Sequence, residues 1–183
     1  MRIVSGRYKR RSISPPKNLP VRPTTDMAKE SLFNILGNYI DFENTAVLDL
    51  FAGTGNISYE FVSRGCSSVT SVDQDFGCVR FINQTSQKLE MKELIAIKHD
   101  VFKFLSTTKS KYDIIFADPP YSLSNIQDIS DLIFKNGLLN PKGWLIIEHP
   151  GELDLSKSIH FYEHRKYGRV NFSFFHIENS TPK

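Results

Sequence analysis

Apolar positions along this chain fall into short blocks whose spacing changes in a regular order. Met27, Leu32, Phe33, Ile35 and Leu36 follow a helical period, with Thr24, Thr25 or Asp26 ahead of them as a cap and Gly37 as a stop. From residue 46 onward, compact apolar runs of the kind that form buried strands alternate with amphipathic stretches. The predicted strands cover 46–50, 68–72, 94–97, 112–117 and 144–148. Helices are predicted over 57–64, closed by Gly65, and over 76–89, capped by Asp73 or Asp75. A helical turn or two follows at 101–105, and a further helix near 126–136. Such alternation requires right-handed crossovers and a mostly parallel sheet with helices on both faces. The end of the chain breaks the rhythm. Residues 159–164, a turn at Tyr167-Gly168 and residues 170–177 read as two strands, with Val170, Phe172 and Phe174 alternating at period two. The fold class is therefore α/β: a Rossmann-like sheet, mostly parallel, with a terminal antiparallel strand pair.

Ahead of this body, residues 1–4 can pair with 12–13 around Gly6 as a small β-ribbon. Pro15, Pro16, Pro20 and Pro23 then make an extended connector. The chain divides into a ribbon and linker at 1–23 and an α/β domain at 24–183. Charge follows the same division. The net charge is only +3, yet Arg2, Arg7, Lys9, Arg10, Arg11, Lys17 and Arg22 all lie in the first 25 residues, which hold no acid. A basic cluster beside a slightly acidic body is the footprint of a phosphate-backbone contact, with a solvated tail as the alternative. A weaker basic group lies at His160, His164, Arg165, Lys166 and Arg169. No apolar run is long enough to span a bilayer, and the first residues lack the apolar stretch of a secretory signal. Cys66 and Cys78 show neither metal nor redox spacing, and the five histidines are scattered. These features imply a reducing, cytoplasmic setting, no metal and a monomer.

The most distinctive chemistry is Asp118-Pro119-Pro120-Tyr121, directly after the predicted strand 112–117. In open α/β sheets ligands sit just beyond the carboxyl ends of strands. The prolines stiffen that exit and hold Asp118 and Tyr121 in place. An acceptor and an aromatic plate on a rigid turn suit a planar group bearing an amine. A second motif, Leu48-Asp49-Leu50-Phe51-Ala52-Gly53-Thr54-Gly55, feeds a strand through a glycine turn into a helix. Gly53 and Gly55 permit a tight bend and close approach of a ligand. Asp73 follows Gly53 by twenty residues, where an acid can accept both hydroxyls of a ribose. The third glycine of a dinucleotide fingerprint is replaced by Ser58, and Asp49 would repel a pyrophosphate. A nucleoside with a cationic appendage fits better, and S-adenosylmethionine is such a molecule. Asp49 would lie near its ammonium, Phe51, Gly53 and Gly55 by the methionine part, Asp73 on the ribose, and Asp100 with Val101 at the adenine. Helix capping is the alternative for Asp73 and Asp100.

These residues resemble a known family. Gly6 with Arg10-Arg11, Arg22-Pro23-Thr24-Thr25-Asp26, Leu32-Phe33-Asn34-Ile35-Leu36, the glycine loop, Asp118-Pro119-Pro120-Tyr121 and Lys166-Tyr167-Gly168 are similar, in order, to the RsmD-type ribosomal RNA guanine-N2 methyltransferases. The resemblance runs from the first residue to about Ile177. It implies a Rossmann-like methyltransferase sheet and S-adenosylmethionine as cofactor. The substrate it implies is one guanine of small-subunit ribosomal RNA, free or within the small-subunit particle. RNA contacts are then expected at Arg7, Lys9, Arg10, Arg11, Arg22 and Thr24. Asp118 and the Pro119 carbonyl would accept the two amine hydrogens, and Tyr121 would stack on the extruded base. The same turn can serve an adenine N6 amine in DNA or RNA, or a protein glutamine amide. The non-enzyme reading is an RNA-binding module that keeps a vestigial nucleoside pocket.

Overall fold

The computed structural model describes residues 1–16, 19 and 26–177. Its elements are α1 (Asp26–Tyr39), β1 (Ala46–Leu50), α2 (Asn56–Ser63), β2 (Ser68–Asp73), α3 (Phe76–Lys88), β3 (Leu94–Lys98), α4 (Val101–Thr107), β4 (Tyr112–Ala117), α5 (Gln127–Lys135), β5 (Leu139–His149), β6 (Phe161–Tyr167) and β7 (Val170–His176). Among the described residues the strands form one sheet in the order β3-β2-β1-β4-β5-β7-β6. The first five are parallel, and β7 runs antiparallel between β5 and β6. The α/β architecture with a terminal antiparallel pair is as expected.

Strand alternation divides the core in two. Val47, Ile114, Phe116, Trp144 and Ile146 face α1, α2 and α3, packing with Leu32, Phe33, Phe61 and Ile82. Leu48, Leu50, Ile115, Ala117, Leu145 and Ile147 face α4 and α5, packing with Val101, Leu105, Ile129 and Ile133. Both sheet faces are buried, which is why the central strands read as continuous apolar runs.

Several boundaries differ from expectation. Helix α1 continues through Gly37 to Tyr39. Leu36 is buried there, and the Tyr39 ring lies 5.0 Å from Trp144 and 6.1 Å from Tyr162, so aromatic packing holds the last turn. Strand β5 starts at Leu139 rather than near Trp144, because Leu139 pairs with Tyr112 before a bulge. Strand β6 lies two residues beyond its predicted start and extends to Tyr167. Asp75, not Asp73, caps α3: its carboxyl accepts the Cys78 N–H at 2.8 Å. The expected cap residues Thr24 and Thr25 lie outside the described residues, as do Lys17 and Arg22.

The N-terminal ribbon forms, in abbreviated shape. Arg2 and Ser12 make an antiparallel bridge, flanked by Ile3 N–H to Arg11 C=O and Ile13 N–H to Met1 C=O, both at 3.0 Å. It lies along α2, with Ile3 and Ile13 in the core. At Gly6 (φ 78) a Cβ would sit 1.7 Å from the Ser63 carbonyl oxygen, so only glycine permits this approach.

Candidate active site

The strand order places β1 beside β4, and their following helices leave to opposite faces of the sheet. That switch point is where an open α/β sheet forms its crevice. The glycine loop leaves β1 there, and Asp118-Pro119-Pro120-Tyr121 leaves β4 beside it. Val72, Leu50, Ala117 and Ile147 are level across β2, β1, β4 and β5. Asp73 at the end of β2, Asp118 just past β4 and Glu148 near the end of β5 therefore lie at one height along the sheet. By alternation they share the α1–α3 face with Asp49, two residues deeper.

Mutual influence among these carboxyls agrees with that placement. Asp49 is 1% exposed, and burial pushes its carboxyl up to about 7. The Ser58 hydroxyl donates to Asp49 and eases the shift, while Asp118 and Asp73 add to it. Burial likewise pushes Asp118 up to about 7. Glu148 is 6% exposed and is driven to about 8, first by burial and then by Asp118, with the Tyr121 hydrogen bond opposing. Removing charged carboxyls from water favours their protonated forms. A row of such groups suits a cation and disfavours a pyrophosphate.

The individual loop residues have structural duties. Asp73 accepts the Gly53 N–H at 2.8 Å on one oxygen and the Asp75 N–H at 2.8 Å on the other, so it fixes the glycine loop. Phe51 stands at φ 58, an unusual conformation for a bulky residue and one that concentrates at functional sites. Gly55 has φ +79, and a Cβ there would meet Ile82 at 2.9 Å and Tyr59 at 3.0 Å. Packing by itself requires that glycine. Asp100 caps α4 by accepting the Lys103 N–H at 2.9 Å. Val101 is buried in the core against α4's side of the sheet. On the β4 exit Pro119 is buried, while the Tyr121 ring is 49% exposed and its hydroxyl donates to Glu148 Oε1 at 3.3 Å.

The basic residues separate from one another. Arg7 pairs with Glu93 at 2.7 Å and lies over the Tyr8 ring, whereas Lys9, Arg10 and Arg11 are exposed at the ribbon's turn. That turn meets the C-terminal end of α2, through Arg7 N–H to Ser63 C=O at 2.8 Å and Tyr8 N–H to Ser63 Oγ at 3.0 Å. The chain start touches the other end, where the Thr54 hydroxyl donates to the Met1 sulfur at 3.5 Å. The exposed basic turn thus stands a helix length, about 12 Å, from the glycine loop. Arg22 and Thr24 lie outside the described residues.

Three groups escaped the reading of the sequence as site residues. Glu148 was legible only as the end of a strand; its signal was an acid closing the apolar run 144–147 beside a strand that ends in Asp118. Glu60 and Lys29 are both 0% exposed and lie 3.7 Å apart. Lys29 donates to Asn56 Oδ1 at 2.8 Å and to the Arg2 carbonyl, joining loop and ribbon. Among the described residues no cluster of His, Cys, Asp or Glu is disposed to hold a metal, and no helix is long and apolar enough to cross a membrane.

Comparison with known proteins identifies the family of the chain. The family model described as "Conserved hypothetical protein 95" matches residues 1–176. The "Putative rRNA methyltransferase YlbH" of Bacillus subtilis (strain 168) is 33% identical over 163 residues, covering 87% of this chain and 88% of that one. "Ribosomal RNA small subunit methyltransferase D" of Escherichia coli (strain K12) is 27% identical over 148 residues, covering 81% and 74%. In fold, the chain is similar to the Thermus thermophilus 16S rRNA N2 G1207 methyltransferase RsmC, solved with AdoMet and guanosine. That likeness has a TM-score of 0.70 at 19% identity and covers 87% of this chain and 45% of the other. By the span of the family match and by its relatives, this chain belongs to the Conserved hypothetical protein 95 family, the RsmD-type methyltransferases.

Proposed function

We propose that this protein transfers a methyl group from S-adenosylmethionine to the exocyclic N2 of a guanine in small-subunit ribosomal RNA. One observation carries the reading: Asp118, on a proline-stiffened exit, ends the strand beside the glycine loop, in a crevice whose carboxyls favour a cation. The relatives named for ribosomal RNA methylation supply the substrate class.

The donor set suits S-adenosylmethionine, since a sulfonium and an ammonium relieve the repulsion among Asp49, Asp73 and Asp118. Gly53, Gly55 and Phe51 line the loop beside it, Asp73 lies within reach of a ribose, and Asp100 with Val101 mark the adenine end. Bound there, the cofactor supplies an electrophilic methyl group, so the protein's task is alignment and electrostatics. Asp118 and the Pro119 carbonyl accept the hydrogens of the guanine amine. That draws the nitrogen lone pair out of the ring and stabilises the positive charge that develops on N2. Asp118 then takes the departing proton, a role suited to a carboxyl poised near neutrality. Tyr121 stacks on the base, contributing about 1–3 kcal/mol. Alignment is the larger effect, worth roughly 7–11 kcal/mol of barrier. Lys9, Arg10 and Arg11, with Arg22 and Thr24, hold RNA phosphates, while Arg7, tied to Glu93, orders the turn. Residues 1–23 serve as the RNA-gripping part and 24–183 as the methyltransferase domain, in a cytoplasmic monomer.

Incubation with tritiated S-adenosylmethionine and unmodified ribosomal RNA, followed by nucleoside analysis, tests this. Label is expected on guanine N2. Label on adenine N6, on protein or nowhere would each refute it.

A further inference from the structure

We infer that Glu148 reads the N1–H of the target guanine, with its Oε2 as the acceptor. The inference rests on the guanine-N2 reading and extends it from the reacting amine to the choice of base. Glu148 is 6% exposed, yet among the described residues its Oε2 has no hydrogen-bond partner, while Tyr121 donates to Oε1 at 3.3 Å. A buried acceptor left unsatisfied is costly, and a ligand that satisfies it recovers that cost. Glu148 is next to last in β5 and follows Ile147, which pairs with Ala117, so it lies level with Asp118 just past the end of β4. Neighbouring strands stand about 4.8 Å apart, so two carboxyls on one face converge on a single base edge.

That geometry matches the Watson–Crick edge of an extruded guanine, where N1–H sits beside the N2 amine. Asp118 accepts from N2, and Glu148 accepts from N1. Adenine presents a lone pair at N1, which would face the Glu148 acceptor. Sites built to bond a substrate N–H reject analogues that lack it. Oε1 is already engaged by Tyr121, so the ring that stacks on the base also sets the orientation of the group that reads it.

Charge adds a measurable consequence. The titratable groups facing Glu148 are Asp118 from β4 and the Tyr121 hydroxyl from the turn; its β7 partner, Phe172, carries no charge. In the absence of base, burial favours protonation of both carboxyls near neutrality. An N1–H on Oε2 favours the ionised form, so guanine binding expels a proton. In the wild type, kcat/KM should rise with pH through about 7 to 8.

The test compares small-subunit ribosomal RNA carrying guanine at the mapped position with the same RNA carrying 2,6-diaminopurine there, which keeps the N2 amine but has no N1–H. Wild-type protein should methylate the analogue roughly 10–100-fold less efficiently. Glu148→Gln should lose a similar factor on guanine, discriminate less between the two RNAs, and lose the upper part of the pH rise. Binding of S-adenosylmethionine by Glu148→Gln, read by titration calorimetry, should be unchanged. Equal wild-type rates on the two RNAs would overturn the inference without any variant. So would a Glu148→Gln protein with the wild-type rate and pH profile on guanine. In both cases guanine-N2 labelling by the wild type leaves the parent reading standing, whereas absence of that label removes both.

Discussion

Substitution of Glu60 by glutamine should release the N-terminal ribbon from the body. Glu60 is fully buried, accepts three donors (the Val4 N–H at 2.8 Å, the Ser5 N–H at 3.0 Å and the Arg64 guanidinium at 3.0 Å) and forms an ion pair with the Lys29 ammonium at 3.7 Å. A carboxamide keeps one acceptor oxygen and turns an NH2 group toward the donors that faced the other. The buried Lys29, whose ammonium burial already disfavours, then loses its counter-charge. Breaking one partner of a buried pair costs about 3–5 kcal/mol. For a domain of this length each kcal/mol moves the melting temperature by roughly 2–4 °C, so a drop of about 6–20 °C is expected. Thermal unfolding followed by circular dichroism measures it. Hydrogen exchange adds a local readout, because the Val4 and Ser5 amides should lose protection before the strands do. Adding Lys29→Met to Glu60→Gln should recover part of the loss, since no unpaired charge then remains buried. A single variant within about 1 kcal/mol of wild type, with Val4 and Ser5 still protected, would refute the assignment of Glu60 as the ribbon's anchor.

Asp118→Ala should abolish methyl transfer, with S-adenosylmethionine affinity nearly unchanged by calorimetry. Retained activity would remove Asp118 from the chemistry. In the Glu148→Gln background, kcat/KM should still rise as pH passes about 7, because Asp118 is protonated and unable to accept below that value and ionised above it. Gly55→Ala should weaken cofactor binding and lower stability by about 1–3 kcal/mol, through its φ of +79 and the contacts with Ile82 and Tyr59; unchanged calorimetric affinity and melting temperature would contradict this. Arg10→Ala and Arg11→Ala should each weaken RNA binding and reduce the slope of log K against log salt by about 1. An unchanged slope would make the turn a solvated surface.

How much was legible depended on whether the signal was local. The strand 112–117 and its acid-Pro-Pro-aromatic exit were readable because a fully buried parallel strand is a continuous apolar run and the prolines mark its end. The strand 46–50 and its glycine turn were equally plain. Helix α1 outran Gly37 because Trp144 and Tyr162, distant in sequence, pack on Tyr39. Glu60 and Lys29 look like ordinary solvent-facing helix charges until the ribbon covers them. Glu148 acquires meaning only once β5 is set beside β4, and pairing partners cannot be read from either strand alone. Asp73 was placed in the crevice, yet its bonds to Gly53 and Asp75 show that it also shapes the loop.

The buried ion pair has a consequence for how RNA and cofactor are held together. Lys29 bonds the Arg2 carbonyl of the ribbon and Asn56 of the loop-to-helix junction, while Glu60 holds Val4 and Ser5 from the same helix. Ribbon and glycine loop therefore share one support, α2. A grip on RNA phosphates at Lys9, Arg10 and Arg11 would then fix the backbone at a set distance, about 12 Å, from the crevice. The distance is too long for one phosphate step, so the strand held by the turn need not be the one bearing the extruded base. Such a fixed offset favours a folded RNA surface over a short single strand, because only a structured substrate presents two points at a constant separation without an ordering cost.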